Sequence, residues 1–90
     1  MHKLLYTEEA KKQISKLDNR LKLKVQEACE HIVQNPDAGK SLTRELKGRF
    51  SYRVADYRII YRIYQAEVLV LVLNVGHRRD VYSKEARKNR

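Results

Sequence analysis

Ninety residues make one domain, and a chain of that size buries only about 60–65% of the surface its unfolded form exposes, leaving room for one modest core. Its 20 Lys and Arg against 11 Asp and Glu give a formal charge of +9, which points to an anionic partner, nucleic acid first. The single cysteine, Cys29, excludes an internal disulfide, no Cys/His spacing suits structural zinc, and the longest apolar run, Val68 to Leu73, is far too short to cross a bilayer. A metal-free, cofactor-free cytoplasmic protein that spans no membrane is expected.

Lys3 to Tyr6 reads as a short first strand. Thr7 supplies an N-cap, with Glu8 and Glu9 in the first turn of a helix. Ala10, Ile14 and Leu17 then recur at helical spacing until Asp18-Asn19 interrupts them. From Arg20 the series Leu21, Val25, Ala28 and Ile32 restarts the period, widened by Cys29 and Val33, and Asn35-Pro36 stops it. Two helices in an antiparallel hairpin follow, with Cys29 a small apolar residue of their shared face. Asp37 to Glu45 reads as a polar connection. Leu46 to Val75 divides into three strands: Phe50, Tyr52 and Val54 alternate with Ser51, Arg53 and Ala55, and Tyr57, Ile59, Tyr61 and Ile63 with Arg58, Ile60, Arg62 and Tyr64. Gln65-Ala66 turns into Val68 to Val75, which is apolar on both faces, as suits a central strand covered on both sides. Gly76 ends it, and Asp80 can cap a last helical turn through Ser83 to Arg87. The expected order is β-α-α-β-β-β-α in one domain over residues 1–90: an α+β fold with the hairpin on a mainly antiparallel four-stranded sheet, a short C-terminal helix and a flexible basic tail at 87–90.

The charge is unevenly spread. Residues 47–90 hold 11 Lys and Arg against 4 Asp and Glu, and the arginines punctuate the strands. A two-residue loop at Ala55-Asp56 pairs Val54 with Tyr57, Arg53 with Arg58, Ser51 with Ile60 and Arg49 with Arg62. Like charges at cross-strand distance are destabilising, so arginine pairs on one face are best explained by a polyanion lying across it. A longer loop shifts that register, and any single arginine can equally be a solvated side chain lying over apolar neighbours. The segment Val75-Gly76-His77-Arg78-Arg79-Asp80-Val81-Tyr82 adds a group that can move a proton, guanidinium forks for phosphate and an aromatic ring. No acid pair, nucleophile triad or phosphate-binding Gly loop is present, so an enzyme of this kind takes its nucleophile from the substrate. RNA carries one, the 2′-hydroxyl, and needs a base, cations for the phosphorane charge and an acid for the leaving 5′-oxygen. Tyr82 can stack on a splayed base.

The helical hairpin, the run LKGRFSYRVADYRIIYRI and the ending VLVLNVGHRRDVY resemble the RelE/ParE toxin superfamily of type II toxin–antitoxin systems over essentially the whole chain. The spacing of Tyr52-Arg53, Tyr57-Arg58, Gly76-His77-Arg78 and Val81-Tyr82 resembles the RelE branch, whose members cleave messenger RNA in the ribosomal A site. The resemblance implies that Arg53 occupies the place of a basic residue on the second strand, that Arg58 takes that of a third-strand arginine contacting phosphate, that Arg78 supports the leaving group and that Tyr82 stacks on and orients a base. Ala55 falls where the best-known members carry a lysine implicated in activating the 2′-hydroxyl, which leaves His77 or a ribosomal group as the base. Arg49, Arg62, Arg79, Lys47 and Lys84 are then expected to supply affinity for RNA and for the 16S and 23S ribosomal surface. An acidic, RelB-like cognate antitoxin is the implied partner, blocking the cationic face or displacing the last helix. The alternatives are a ParE-like gyrase inhibitor, a branch that tends to lack the His-Arg and downstream Tyr set, and an inactive toxin-fold protein that binds only nucleic acid or its antitoxin.

Overall fold

A computed structural model describes residues 2–88. The expected α+β architecture is present, with one strand more than anticipated. The elements are β1 (Lys3–Tyr6), α1 (Glu8–Ser15), α2 (Asn19–Gln34), β2 (Lys40–Ser41), β3 (Phe50–Val54), β4 (Tyr57–Tyr64), β5 (Leu69–His77) and α3 (Val81–Lys88). They build a five-stranded sheet in the order β1-β5-β4-β3-β2, in which β1 runs parallel to β5 and every other neighbour is antiparallel.

Local chemistry sets the element ends. Thr7 caps α1, its hydroxyl accepting the Ala10 amide at 3.1 Å while donating to the Leu73 carbonyl at 3.0 Å, so one side chain both starts the helix and ties it to β5. Asp18 caps α2 by accepting the Leu21 amide at 2.8 Å. The hairpin buries Ala10, Val25, Ala28, Cys29, Ile32 and Val33 against Val54, Ile59, Tyr61, Val70, Val72 and Val75 of the sheet. Burial raises the Cys29 thiol to about 11, so this residue packs as an apolar group and is no nucleophile at neutral pH.

The connection after α2 is more ordered than its polar sequence suggests. Tyr61 is fully buried, and its hydroxyl donates to the Pro36 carbonyl at 2.7 Å and accepts the Gly39 amide at 3.0 Å. A Cβ on Gly39 would lie 2.4 Å from that hydroxyl oxygen, so only glycine lets the chain pass. The tether sets Lys40 and Ser41 opposite Ser51 and Phe50, which makes the extra edge strand β2.

Two further differences matter for the site. β5 skips a residue where Ile60 pairs with Asn74 and Tyr61 with Val72. This bulge at Leu73 turns Val70, Val72 and Val75 toward the hairpin while Asn74 and Gly76 face the other way, under α3. Contrary to expectation, the second face of β5 is covered only at that end, and Leu69, Leu71 and Leu73 stay half-buried. At the other terminus, residues 87 and 88, expected in a flexible tail, are the last positions of α3; 89 and 90 lie outside the described residues.

Candidate nucleic-acid interface

The β3-β4 hairpin has the register that a two-residue loop dictates. Val54 pairs with Tyr57, Arg53 with Arg58 and Ser51 with Ile60, and Ala55 takes the tight turn at φ 54°. A two-residue loop makes Val54 and Tyr57 the hydrogen-bonded pair, so Arg53 and Arg58 form the adjacent non-bonded pair, with α-carbons about 4.5 Å apart and side chains close. Arg58 in turn lies opposite Gly76 of β5. Arg53, Arg58 and Gly76 therefore form one row across three strands, on the face away from the helical hairpin. The row next to it, Ser51, Ile60 and Asn74, is buried under α3.

Arg78 joins the same end of the sheet. Its amide donates to the Asp56 carbonyl at 2.9 Å, which ties the segment after β5 to the turn beside Arg53 and Arg58. The Arg53 guanidinium donates to the Ala55 carbonyl at 3.4 Å and that of Arg58 to the Tyr57 carbonyl at 3.2 Å. Among the described residues none of these three guanidiniums has a carboxylate partner. Arg53 and Arg58 thus face each other across β3 and β4, an unfavourable like-charge pairing, with the backbone of Arg78 tied to the turn beside them.

Tyr82 stands on the first turn of α3, half-exposed, and its hydroxyl shares a 2.8 Å hydrogen bond with Ser51. Ser51 and Arg53 are two residues apart on one strand face, about 7 Å along it, so the bond sets the Tyr82 ring beside the arginine row. In the sequence Ser51 carries no functional signature beyond being a small polar residue between Phe50 and Tyr52 on the arginine face. Gly76 of the same row lies directly under Val81 at the start of α3, where an added Cβ would be in van der Waals contact with the Val81 side chain.

α3 is held down by a buried polar chain. The Gln13 amide donates to the Asn74 side-chain oxygen at 2.8 Å and its oxygen accepts the Val75 amide at 2.7 Å, in the stretch of β5 beyond the end of β1. Asn74 donates onward to Glu85, whose other oxygen accepts from Arg49 at 2.7 Å. Asn74 is 0% and Glu85 2% exposed, and Arg49 only 9%. Arg49, expected to meet RNA, is therefore committed to Glu85 inside the fold, because its position just before β3 turns it under α3.

His77 also lies elsewhere than the proton-transfer reading needs. It pairs across the sheet with Tyr57, their rings 5.8 Å apart edge to face, and Tyr57 packs on the hairpin core. His77 thus faces away from Arg58, with its Nδ1 accepting the Arg79 amide at 3.2 Å. The outer basic residues Lys47, Arg79 and Lys84 are exposed, whereas Arg62 lies 5.4 Å over the Tyr64 ring. Among the described residues no group of three His, Cys, Asp or Glu comes together to hold a metal, and no helix is long and apolar enough to cross a membrane.

This fold and cationic end define a class, and comparison with known proteins agrees. A family model described as the ParE toxin of the type II toxin–antitoxin system parDE matches residues 4–82. Toxin RelG of Mycobacterium tuberculosis is 38% identical over 81 residues, covering 88% of this chain and 93% of that protein. The toxin in the RelBE2 toxin–antitoxin complex of the same organism superposes with a TM-score of 0.80 at 35% identity, over 86% of this chain and 98% of that one. The isolated Escherichia coli RelE toxin shares the fold with a TM-score of 0.75 at 22% identity, over 98% of both chains. The chain belongs to the RelE/ParE toxin superfamily and is a toxin of a type II toxin–antitoxin system.

Proposed function

We propose that this toxin is an endoribonuclease that cleaves messenger RNA in the ribosomal A site. One observation carries the proposal: Arg53 and Arg58 pair across the sheet, without a carboxylate partner among the described residues, beside the backbone of Arg78 and an aromatic ring held in place by Ser51. A phosphodiester fits that arrangement. Arg53 and Arg58 take its non-bridging oxygens, Tyr82 stacks on an adjoining base, and Arg78 neutralises the departing 5′-oxygen. In the reaction the 2′-oxygen bonds to phosphorus as the bond from phosphorus to the 5′-oxygen breaks, giving a 2′,3′-cyclic phosphate and a 5′-hydroxyl. The arginines stay protonated and supply charge stabilisation alone. His77 is on the other face, so on this reading a ribosomal group takes the 2′-hydroxyl proton and water protonates the departing 5′-oxygen, which makes cleavage depend on the ribosome.

A RelB-like acidic antitoxin is the natural partner, since related toxins of this fold are known in complexes with antitoxins and a cationic face of this kind suits an acidic amphipathic segment. A second reading, inhibition of DNA gyrase, is favoured by the ParE description of the matching family model. Adding the purified chain to a cell-free translation reaction and, separately, to a gyrase supercoiling reaction distinguishes them. The proposal expects translation to stop and supercoiling to proceed; the reverse pattern overturns it.

A further inference from the structure

A cleft opens on the opposite side of β3 from Tyr82, between that strand and α2. It has a volume of about 310 Å³. Lys24, Glu27 and His31 line its helix side, Tyr52 and Arg53 its strand side, and Ala28 and Val54 close the floor. Three features suit a nucleotide. The floor is apolar, Ala28 and Val54 each being 8% exposed, and the half-buried Tyr52 ring meets the His31 ring at 5.8 Å, tilted by 50°. An apolar floor beside aromatic rings is what an unstacked base needs. Lys24 and His31 belong to an exposed stripe of α2 that begins at Arg20, and in the cleft wall Glu27 is the one acid beside the cations Lys24 and Arg53.

Arg53 links the two places. β2 pairs only with Phe50 and Ser51, so beyond Ser51 the strand β3 is an open edge. Arg53 sits on that edge, exposed, paired with Arg58 on one side and lining the cleft on the other. A strand whose phosphate rests on Arg53 and Arg58 can round this edge and place its next base against Tyr52 and His31. We infer that the cleft between α2 and β3 is a second nucleotide subsite, which holds a base of single-stranded RNA adjoining the cleaved step. The inference rests on the RNA reading above and extends it to positions that no motif marks.

The test is an amide chemical-shift titration of the isotope-labelled toxin with two uncleavable oligoribonucleotides, a dinucleotide and a hexanucleotide, each carrying 2′-deoxy sugars where attack would occur. Low salt and millimolar ligand make even weak contacts visible. Both ligands are expected to move the amides around Arg58 and Arg78, and only the hexanucleotide those of Lys24, His31 and Tyr52. In the double variant Lys24→Glu, His31→Ala, altered at two exposed helix positions, the hexanucleotide is expected to bind about tenfold more weakly, the loss of one base or phosphate contact, and the dinucleotide to bind unchanged. Shifts confined to the arginine face, or equal affinities in the double variant, overturn the subsite and leave the RNA reading standing. An absence of shifts at Arg58 and Arg78 with either ligand overturns both.

Discussion

Replacing Arg58 by Gln separates the cost of the site from its use. Gln keeps most of the aliphatic stem and removes the charge that faces Arg53 across β3 and β4. Arg53 is exposed and Arg58 half-exposed, so their repulsion is partly screened and lies within the cross-strand range of about 0.2–1 kcal/mol. The variant also gives up the 3.2 Å bond from Arg58 to the Tyr57 carbonyl, which offsets part of the gain. A net stabilisation of about 0.5 kcal/mol is expected, a rise in melting temperature of about 2–4 °C for a domain of this size. Because the origin is electrostatic, the rise should appear at low ionic strength and fade in 0.5 M salt, where the screening length is about 4 Å. Arg53→Gln should behave alike, and the double variant should gain little more, since either change alone removes the pair. The same substitutions should abolish growth arrest when the toxin is expressed without antitoxin. Thermal melts at two salt concentrations, beside an induction assay, read both effects. A salt-independent fall in melting temperature of more than about 4 °C would mean that Arg58 serves the fold, and full toxicity in a stable variant would remove it from the site.

Three further outcomes follow from the geometry. Glu85→Gln leaves Arg49 buried without its carboxylate and is expected to cost about 3–5 kcal/mol, seen as a lowered urea midpoint, while Arg49→Met combined with Glu85→Met should recover part of the loss. Stability should fall as pH rises through roughly 9–11: the Cys29 thiol is raised to about 11 in the fold, so its contribution is complete below its unfolded value and vanishes as the pH passes the folded one. Denaturant melts should show a decline of about 2–3 kcal/mol from this group, and Cys29→Ala should flatten the slope. Tyr82→Phe removes the hydroxyl bond to Ser51 and is expected to cost about 1 kcal/mol of stability with the ring kept, whereas Tyr82→Ala should slow killing at least tenfold, as the loss of a stacked base implies.

Much of this architecture was legible in the residues. Thr7 and Asn35-Pro36 mark helix ends through capping and proline chemistry, and the paired arginines follow once the loop at Ala55-Asp56 is two residues long. What escaped depends on long-range contacts. β2 exists because Tyr61 grips Gly39 and Pro36 from 22 and 25 residues away, and neither Lys40 nor Ser41 carries a strand signature. The bulge at Leu73 decides which residues of β5 meet α3; a uniform Val-Leu alternation cannot announce it, and Asn74 was its only polar hint. Arg49 reads like the other arginines until Glu85 arrives from the last helix. His77 adjoins Arg78 in the chain, yet neighbours on a strand point to opposite faces, so the sequence motif joins groups that the sheet separates.

The central claim is that the arginine row cleaves RNA, and the chemistry of the cut ends tests it most directly. Ribosomes programmed with a defined message, incubated with the purified toxin, should yield a cut within the A-site codon bearing a 2′,3′-cyclic phosphate upstream and a 5′-hydroxyl downstream, and the Arg58→Gln variant should leave the message whole. An intact message with the unaltered toxin, or a cut that persists at full rate in Arg58→Gln, would contradict the account.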